Sequence, residues 1–278
     1  MTVKELIATG KKRLEDEGFS EADSDCFILA DYLLGISRND ILIHPDALVS
    51  QDKTDCYAAA IDKRLTHVPV QYITGRQEFM GLTFLVDERV LIPRFDTEIL
   101  VEEVLKRGLS GVRILDICTG SGCILLSLLH YMHESSGVGL DISEDALAVA
   151  RENAARLGIE AEFIKSDICD GLSEDQRFDV IVSNPPYIRS DVIPTLMEEV
   201  KDHEPVLALD GSADGLVFYR RIAAEAQAFL QREGQLIVEI GFDQGEDVKN
   251  IFMTAGYKDV TVIKDLAGLD RVVSGYRY

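Results

Sequence analysis

Beyond Pro93, short apolar runs typical of β-strands alternate with longer segments of helical periodicity. One helical segment, SEDALAVARENAARLG, begins at Ser143, a suitable N-cap residue, and ends at Gly158, a suitable C-cap residue. Strands that alternate with helices form mostly parallel sheets covered on both faces, so residues 93–278 predict one α/β domain. The last two strand patterns lack a helix-length connection, which allows them to pair antiparallel. The seven patterns in chain order are VRILDIC, GVGLDIS, AEFIKSD, FDVIVSN, GQLIVEIG, KDVTVIKD and RVVSGYRY.

Two smaller segments precede this domain. Residues 1–75 carry apolar side chains at helical spacing and predict a small helical bundle. Residues 76–92 change to a two-residue period around Phe84 and Val86, with Gly81 at a turn. This pattern predicts a β-hairpin that links the two domains.

The composition limits the possible partners. The 278 residues are 46% hydrophobic and carry a formal net charge of −21. Such a surface repels phosphate backbones, so we expect no direct nucleic-acid partner. No apolar run is long enough to cross a membrane, and the five cysteines lack metal-site or disulfide spacing. We expect a cytoplasmic protein with free thiols and no metal.

A glycine loop joins the first strand to its helix in the segment LDICTGSGCILLSLL. Gly120 and Gly122 allow a sharp turn and a close approach of the backbone to a ligand. Three acids, Asp116, Asp141 and Asp167, end successive strands and are expected at one edge of the sheet. An acid placed as Asp141 is can accept hydrogen bonds from ribose hydroxyls. The loop lacks the full dinucleotide fingerprint, so S-adenosylmethionine (SAM) fits better than NAD; the glycine loop alone would also suit a plain strand–helix turn.

The fourth strand ends in Asn-Pro-Pro-Tyr, residues 184–187. Pro185 and Pro186 cannot donate to a strand ladder, so they end the strand and stiffen the turn. The Asn184 side-chain oxygen and the Pro185 carbonyl could accept the two N–H groups of a planar amide or amine, and Tyr187 could pack on its flat face. Two such acceptors would offset the positive charge that develops on nitrogen during methylation. A Pro-Pro pair on its own would indicate only a strand-terminating turn.

Together, DICTGSG and Asn-Pro-Pro-Tyr resemble the class I SAM-dependent methyltransferases that modify planar nitrogens. Adenine N6-methyltransferases and protein glutamine methyltransferases share these motifs. Three other segments resemble the PrmC/HemK family of peptide chain release factor glutamine methyltransferases. These segments are PVQYITGRQEFMGLTFLVDERVLIPRFDTEILVE, HEPVLALDGSADGL and EIGFDQG.

The resemblance implies a Rossmann-like, mostly parallel seven-stranded sheet and a defined reaction. A methyl group would pass from SAM, leaving S-adenosylhomocysteine, to the glutamine of the Gly-Gly-Gln motif in class 1 release factors. The product would be N5-methylglutamine. Residues 1–75 would recognise the release factor, and the enzyme is expected to be a monomer.

The expected site residues fall into three groups. The catalytic residues are Asn184, Pro185 and Tyr187, and the substrate clamp is formed by these residues with Pro186. The cofactor residues are Asp116, Cys118, Thr119, Gly120, Ser121, Gly122, Asp141, Asp167, Ile168 and Asn184. Ile168 would lie against the adenine.

The chain departs from the family pattern at three positions. Cys118 and Ser212 stand where glycine is usual, and Phe95 stands where proline is usual. None of these changes removes a group that the chemistry needs. Arg94 and Glu98 are compatible with either an inter-domain ion pair or a substrate role. Two other functions stay open: adenine N6-methylation of DNA or RNA, and non-catalytic SAM binding.

Overall fold

The computed structural model describes residues 1–278 and divides the chain into two compact units. The N-terminal unit comprises Met1–Arg76 together with Met197–His203, and the sheet unit comprises Gln77–Leu196 together with Glu204–Tyr278. Each unit has its own apolar core. None of the helices is both long and apolar enough to span a membrane.

The N-terminal unit is a helical bundle. Its first helix starts in a capping box, in which the Thr2 side chain accepts from the Glu5 backbone and the Glu5 side chain accepts from the Thr2 backbone. Gly35 ends the second helix in the left-handed conformation. The helices are α1 (Val3–Asp16), α2 (Ala22–Leu34), α3 (Arg38–Ile43), α4 (Gln51–Arg64) and α5 (Val70–Thr74).

A buried ion pair holds part of this bundle together. The Arg64 guanidinium on α4 donates to Asp25 on α2 at 2.6 Å and to Glu199 at 2.6 Å. Glu199 belongs to the short returning segment, residues 197–203, that the chain contributes to the N-terminal unit after leaving the sheet unit. Because Arg64 is almost fully buried, it needs both carboxylates to offset the loss of water.

Two short strands come next in the chain. β1 (Arg76–Phe79) and β2 (Leu82–Leu85) form a two-stranded sheet. Met80 and Gly81 connect them with positive φ angles of 50° and 71°, as a tight two-residue hairpin turn requires.

The sheet unit contains seven further strands in the order β5-β4-β3-β6-β7-β9-β8. The first five strands of this order pair in parallel, whereas β9 is antiparallel to both of its neighbours. The predicted alternating α/β fold and the antiparallel last pair are therefore confirmed. The strands are β3 (Arg113–Ile117), β4 (Ser136–Asp141), β5 (Glu162–Lys165), β6 (Phe178–Ser183), β7 (Leu230–Glu239), β8 (Lys258–Lys264) and β9 (Asp270–Tyr276).

Helices accompany these strands, with apolar clusters packed against the sheet. The predicted ends of one helix are confirmed: the Ser143 hydroxyl accepts from the Ala146 amide, and Gly158 is left-handed. The helices of the sheet unit are α6 (Glu98–Leu105), α7 (Cys123–Tyr131), α8 (Glu144–Leu157), α10 (Val217–Glu225) and α11 (Gly245–Ala255). The short helix α9 (Glu198–Lys201) lies in the returning segment and belongs to the N-terminal unit.

The strand register determines where the functional loops meet. Ile117, the last residue of β3, lies beside Leu140 in β4 and Ser183 in β6. The chain therefore leaves these three parallel strands at one edge of the sheet. The loops that begin at Cys118 and Asn184 flank Asp141 at this edge.

Candidate active site

A cavity opens at this edge, entirely within the sheet unit. Its walls come from the loops after β3, β4, β5 and β6, from residues 89–97 and from residues 205–208. Of the residues predicted from the sequence, the cavity is lined by Cys118, Thr119, Gly120, Ser121, Asp141, Asp167, Ile168, Asn184 and Pro186. Asp116, Gly122, Pro185 and Tyr187 do not line it.

Asp141 and the glycine loop hold each other in place. One Asp141 carboxylate oxygen accepts from the Gly120 amide at 2.9 Å, and the other accepts from the Ser143 amide at 2.9 Å. Burial raises the pKa of Asp141, and these backbone hydrogen bonds oppose the rise. Each carboxylate oxygen can accept more than one hydrogen bond, so Asp141 retains capacity for a hydroxyl-bearing ligand.

Asp116, a predicted cofactor residue, does not line the cavity. Its carboxyl group is fully buried beneath the loop and accepts from the Thr119 hydroxyl at 2.6 Å. Burial raises the pKa of Asp116 to about 7. Asp116 therefore supports the loop from below through Thr119.

Gly122, also a predicted cofactor residue, lies outside the cavity lining and begins α7. It is the N-cap of α7 at φ 80°, and a Cβ there would lie 3.2 Å from the Leu126 side chain and 3.3 Å from Ala150. The glycine is thus needed for its backbone conformation and for close packing of the helix start.

Asp167 and Ile168 both line the cavity but differ in exposure. Asp167 is exposed and pairs with Arg221 at 2.8 Å, so part of its charge is already neutralised. Ile168 is buried and supplies an apolar wall. An apolar surface next to an acid suits a ligand with a flat base attached to a polar part.

The two positions where the family usually has glycine share a backbone property. Cys118 has a φ of 61° and Ser212 has a φ of 71°, both in the left-handed region that favours glycine. The Cys118 side chain packs against the core cluster beneath the sheet edge, and burial raises the pKa of its thiol. The loop therefore keeps the backbone conformation that glycine would take, with the thiol protonated at neutral pH.

The Asn-Pro-Pro-Tyr segment presents Asn184 and Pro186 to the cavity. The Asn184 side-chain nitrogen donates to the Thr97 hydroxyl at 3.3 Å. This hydrogen bond does not involve the Asn184 side-chain oxygen. Tyr187 instead packs against the core, and its hydroxyl donates to Glu239 at 3.5 Å. In this structure the Tyr187 ring supports the segment from behind and does not line the cavity.

Arg94 and Glu98 do not form an inter-domain ion pair. Arg94 lines the cavity and pairs with Glu204 at 2.7 Å, and both residues belong to the sheet unit. Glu98 accepts from the Met80 amide in the hairpin turn at 2.6 Å. Phe95, beside Arg94, is 68% exposed.

Sequence reasoning gave no role to three residues that the structure connects to the site: Thr97, Asn153 and Glu239. Thr97 and Glu239 lie inside the segments IPRFDTE and EIGFDQG, so their surroundings were recognised but their functions were not. Asn153 lies on α8, where its polar side chain is fully buried. A polar residue on the apolar face of that helix was the available signal.

Known proteins align with this chain over nearly its whole length. A release factor glutamine methyltransferase of Agrobacterium fabrum is 43% identical over 281 residues, which cover 98% of this chain and 96% of the relative. One of Caulobacter vibrioides is 40% identical and covers 100% of this chain and 97% of the relative. The chain belongs to the release factor glutamine methyltransferase family.

Two family models match this release factor glutamine methyltransferase, one in its N-terminal part and one in its sheet unit. The PrmC N-terminal domain matches residues 5–75, and a methyltransferase domain matches residues 109–250. Among solved structures, a methyltransferase of Pyrococcus furiosus has a TM-score of 0.53 at 19% identity, covering 71% of this chain and 89% of that one. At that identity the likeness concerns the fold, which is the class I SAM-dependent methyltransferase fold.

Proposed function

We propose that this protein transfers a methyl group from SAM to the side-chain amide nitrogen of a glutamine in peptide chain release factors. The acceptor is the glutamine of the Gly-Gly-Gln motif in class 1 release factors, and the product is N5-methylglutamine. The observation that carries the proposal is the position of Asn184, whose amide lines the cavity beside the glycine loop with its nitrogen already bound to Thr97. Family membership supplies the substrate class.

The donor set of the cavity fits SAM. Asp141 would hold the ribose hydroxyls, Ile168 would contact the adenine, and residues 118–121 would surround the methionine part. The two basic residues of the lining, Arg89 and Arg94, are already paired with Asp87 and Glu204, which does not favour a phosphate. When bound, SAM supplies an electrophilic methyl group.

The chain's own residues would prepare the amide nitrogen for methylation. An amide nitrogen is a weak nucleophile because its lone pair is delocalised. The Asn184 oxygen, and the Pro185 carbonyl as a second acceptor, would draw the amide hydrogens and favour electron density on nitrogen. Holding the planar amide in one orientation would lower the entropic part of the barrier.

The N-terminal unit would recognise the release factor outside the active site, and the protein would act as a cytoplasmic monomer. The match of residues 5–75 to the PrmC N-terminal domain supports this role. The net charge of −21 supports a protein acceptor and opposes a nucleic-acid one.

The test is methyl transfer from labelled SAM to three acceptors. These are a purified class 1 release factor, the same factor with its Gly-Gly-Gln glutamine changed to alanine, and duplex DNA. We expect label only on the first acceptor. Label on DNA alone would establish an adenine methyltransferase, and label on the alanine-substituted factor would refute the assigned glutamine.

Variants of the enzyme complete the test. Asn184→Ala should lower turnover by about 100-fold or more, because it removes an acceptor aimed at the reacting amide. Asn250→Ala changes an exposed asparagine on α11 and should leave turnover unaltered. Normal turnover in Asn184→Ala would refute the clamp.

A further inference from the structure

The edge of the sheet that carries the cavity has two halves, one on each side of β6. The loops after β3, β4 and β5 line the cavity on one side, and β7, β9 and β8 lie on the other. Beside this second half, four large apolar side chains are exposed: Phe95, Phe242, Leu266 and Leu269. We propose that these four residues, the apolar platform, dock the region of the release factor that surrounds the acceptor glutamine. The inference rests on the proposed function and deepens it, because it adds a protein-binding surface next to the active site.

Strand order brings the platform loops to the same edge as Asn184. Antiparallel β9 lies between β7 and β8 and begins where both of those strands end. Asn184 follows β6, the parallel neighbour of β7, and leaves the sheet at this edge as well. Phe242 stands in the loop after β7 and is 61% exposed, and Leu266 stands in the loop between β8 and β9 and is fully exposed.

Phe95 is connected to these loops by an ion pair. The Arg271 guanidinium, on β9, pairs with Asp96 at 3.0 Å and with Asp265 at 3.2 Å. Asp96 follows Phe95 in the short 3-10 helix Phe95–Thr97, and Asp265 begins the loop between β8 and β9. The same 3-10 helix contacts the Asn184 side chain through a hydrogen bond. Arg271 therefore holds two parts of the platform together beside the cavity.

The other platform loops are also held by hydrogen bonds. Gln244, in the loop after β7, donates to the Tyr187 carbonyl at 3.2 Å. Asp265 accepts from two amides of its own loop, each at 2.9 Å. Leu266 is thus kept in water by an ordered backbone, although its side chain would be more stable out of water. Exposed apolar side chains grouped next to a cavity are typical of protein-binding surfaces.

The charge of these loops indicates which protein can occupy the platform. Asp96 follows Phe95, and Asp243 follows Phe242, and both acids are exposed. In a two-fold contact with a second copy of this chain, these acids would face one another, and an anionic membrane would also be repelled. A different protein with an apolar centre and a basic rim would instead complement the surface. Under the proposed function this protein is the release factor.

The test measures binding of a purified class 1 release factor to the full-length enzyme with S-adenosylhomocysteine, by calorimetry. Leu266→Ser should weaken this binding by about 10-fold, because the partner can cover the whole leucine side chain. Phe242→Ser should act in the same direction. Equal affinities of the wild type and of both variants would overturn the proposal.

Met253→Ser is the matched control. Met253 is 48% exposed near the end of α11, which runs from the end of β7 to the start of β8 and so finishes at the opposite edge of the sheet. Release factor affinity should stay within about twofold in this variant. A loss equal to that of Leu266→Ser would show a general effect of removing surface apolar groups and would overturn the proposal.

Kinetics separate docking from chemistry. In Leu266→Ser the KM for the release factor should rise by about 10-fold, while kcat and the affinity for SAM should stay within about twofold, because no platform residue lines the cavity. A fall in kcat at unchanged KM would overturn the proposal.

Sedimentation of the wild type and of Leu266→Ser tests the second copy. A wild-type dimer that Leu266→Ser abolishes, with release factor binding unchanged, would overturn the proposal and assign the platform to self-association. A wild type that binds the release factor without methylating it would instead count against the proposed function, so the two failures are distinguishable.

Discussion

The Asn153 side chain joins the glycine loop to the hairpin. Its nitrogen donates to the Ser121 carbonyl at 2.9 Å and to the Leu85 carbonyl at 3.1 Å, while its oxygen accepts from the Leu85 amide at 2.7 Å. One fully buried amide therefore satisfies three backbone groups from two distant segments.

Asn153→Ala should lower the free energy of unfolding by about 3 kcal/mol, because it leaves three buried backbone groups without partners. It should also weaken SAM binding, since Ser121 lines the cavity. Denaturant unfolding and calorimetry with SAM measure the two effects. Asn250→Ala is the matched control and should change stability by less than about 0.5 kcal/mol. Equal stability of the two variants would contradict the bridging role of Asn153.

Substitutions of Cys118 test the backbone conformation of the glycine loop. Cys118→Gly should retain SAM binding, because glycine adopts a φ of 61° without steric cost. Cys118→Val should lower the free energy of unfolding by about 1–2 kcal/mol, because a β-branched residue is strained in the left-handed region. Thermal unfolding and SAM titration of both variants provide the measurement. A valine variant as stable as the glycine variant would show that the loop adopts another conformation in solution.

Asp141 and Asp167 should differ in their importance for SAM binding. Asp141→Asn should weaken it by about 10- to 100-fold, since hydrogen bonds to a charged acceptor contribute about 1.5–3 kcal/mol. Asp167→Asn should have a smaller effect, because Asp167 is exposed and already paired with Arg221. Equilibrium titration with SAM decides the order. A larger loss for Asp167→Asn would reverse the assignment of the ribose contact.

Glu239 should make stability depend on pH. Burial raises the pKa of this carboxyl group from 4.5 to about 7, and its Oε2 atom has no hydrogen-bond partner. Between pH 4.5 and pH 7 this carboxyl group has lost its proton in the unfolded chain but keeps it in the folded protein. The free energy of unfolding therefore falls as pH rises. Relative to Glu239→Gln, the wild type should lose up to about 3 kcal/mol between pH 4.5 and pH 7. Asp116 titrates in both proteins and cancels in the comparison. If the free energies of unfolding of both proteins changed in parallel from pH 5 to pH 8, the raised pKa of Glu239 would be contradicted.

The sequence predicted the parts of the site that lie along single segments. The glycine loop, Asp141 and Asn184 each follow a recognisable strand, so strand order alone brings them to one edge. Thr97, Glu239 and Asn153 could not be predicted in this way, because their roles depend on contacts across the fold. Asn184 bonds to a residue 87 positions away, and Asn153 bonds to one 68 positions away.

Two of the predicted site residues turn toward the interior in the structure. Asp116 and Tyr187 were assigned to ligands because they adjoin the motifs, yet both side chains turn toward the interior. Successive residues of a strand point to opposite faces, so Asp116 in β3 does not share the direction of its neighbours. Tyr187 lies beyond the end of β6, where the chain has already turned. Their buried hydrogen bonds to Thr119 and Glu239 support the segments that do face the cavity.

The returning segment, residues 197–203, limits how the protein can be divided. A fragment ending at Arg76 would contain every helix of the bundle except α9, but it would lack Glu199, one of the two carboxylates bound to Arg64. The buried Arg64 guanidinium would then be paired with Asp25 alone. The bundle is thus continuous in space but discontinuous in sequence, so truncation at the apparent boundary would remove a carboxylate that partners its buried arginine.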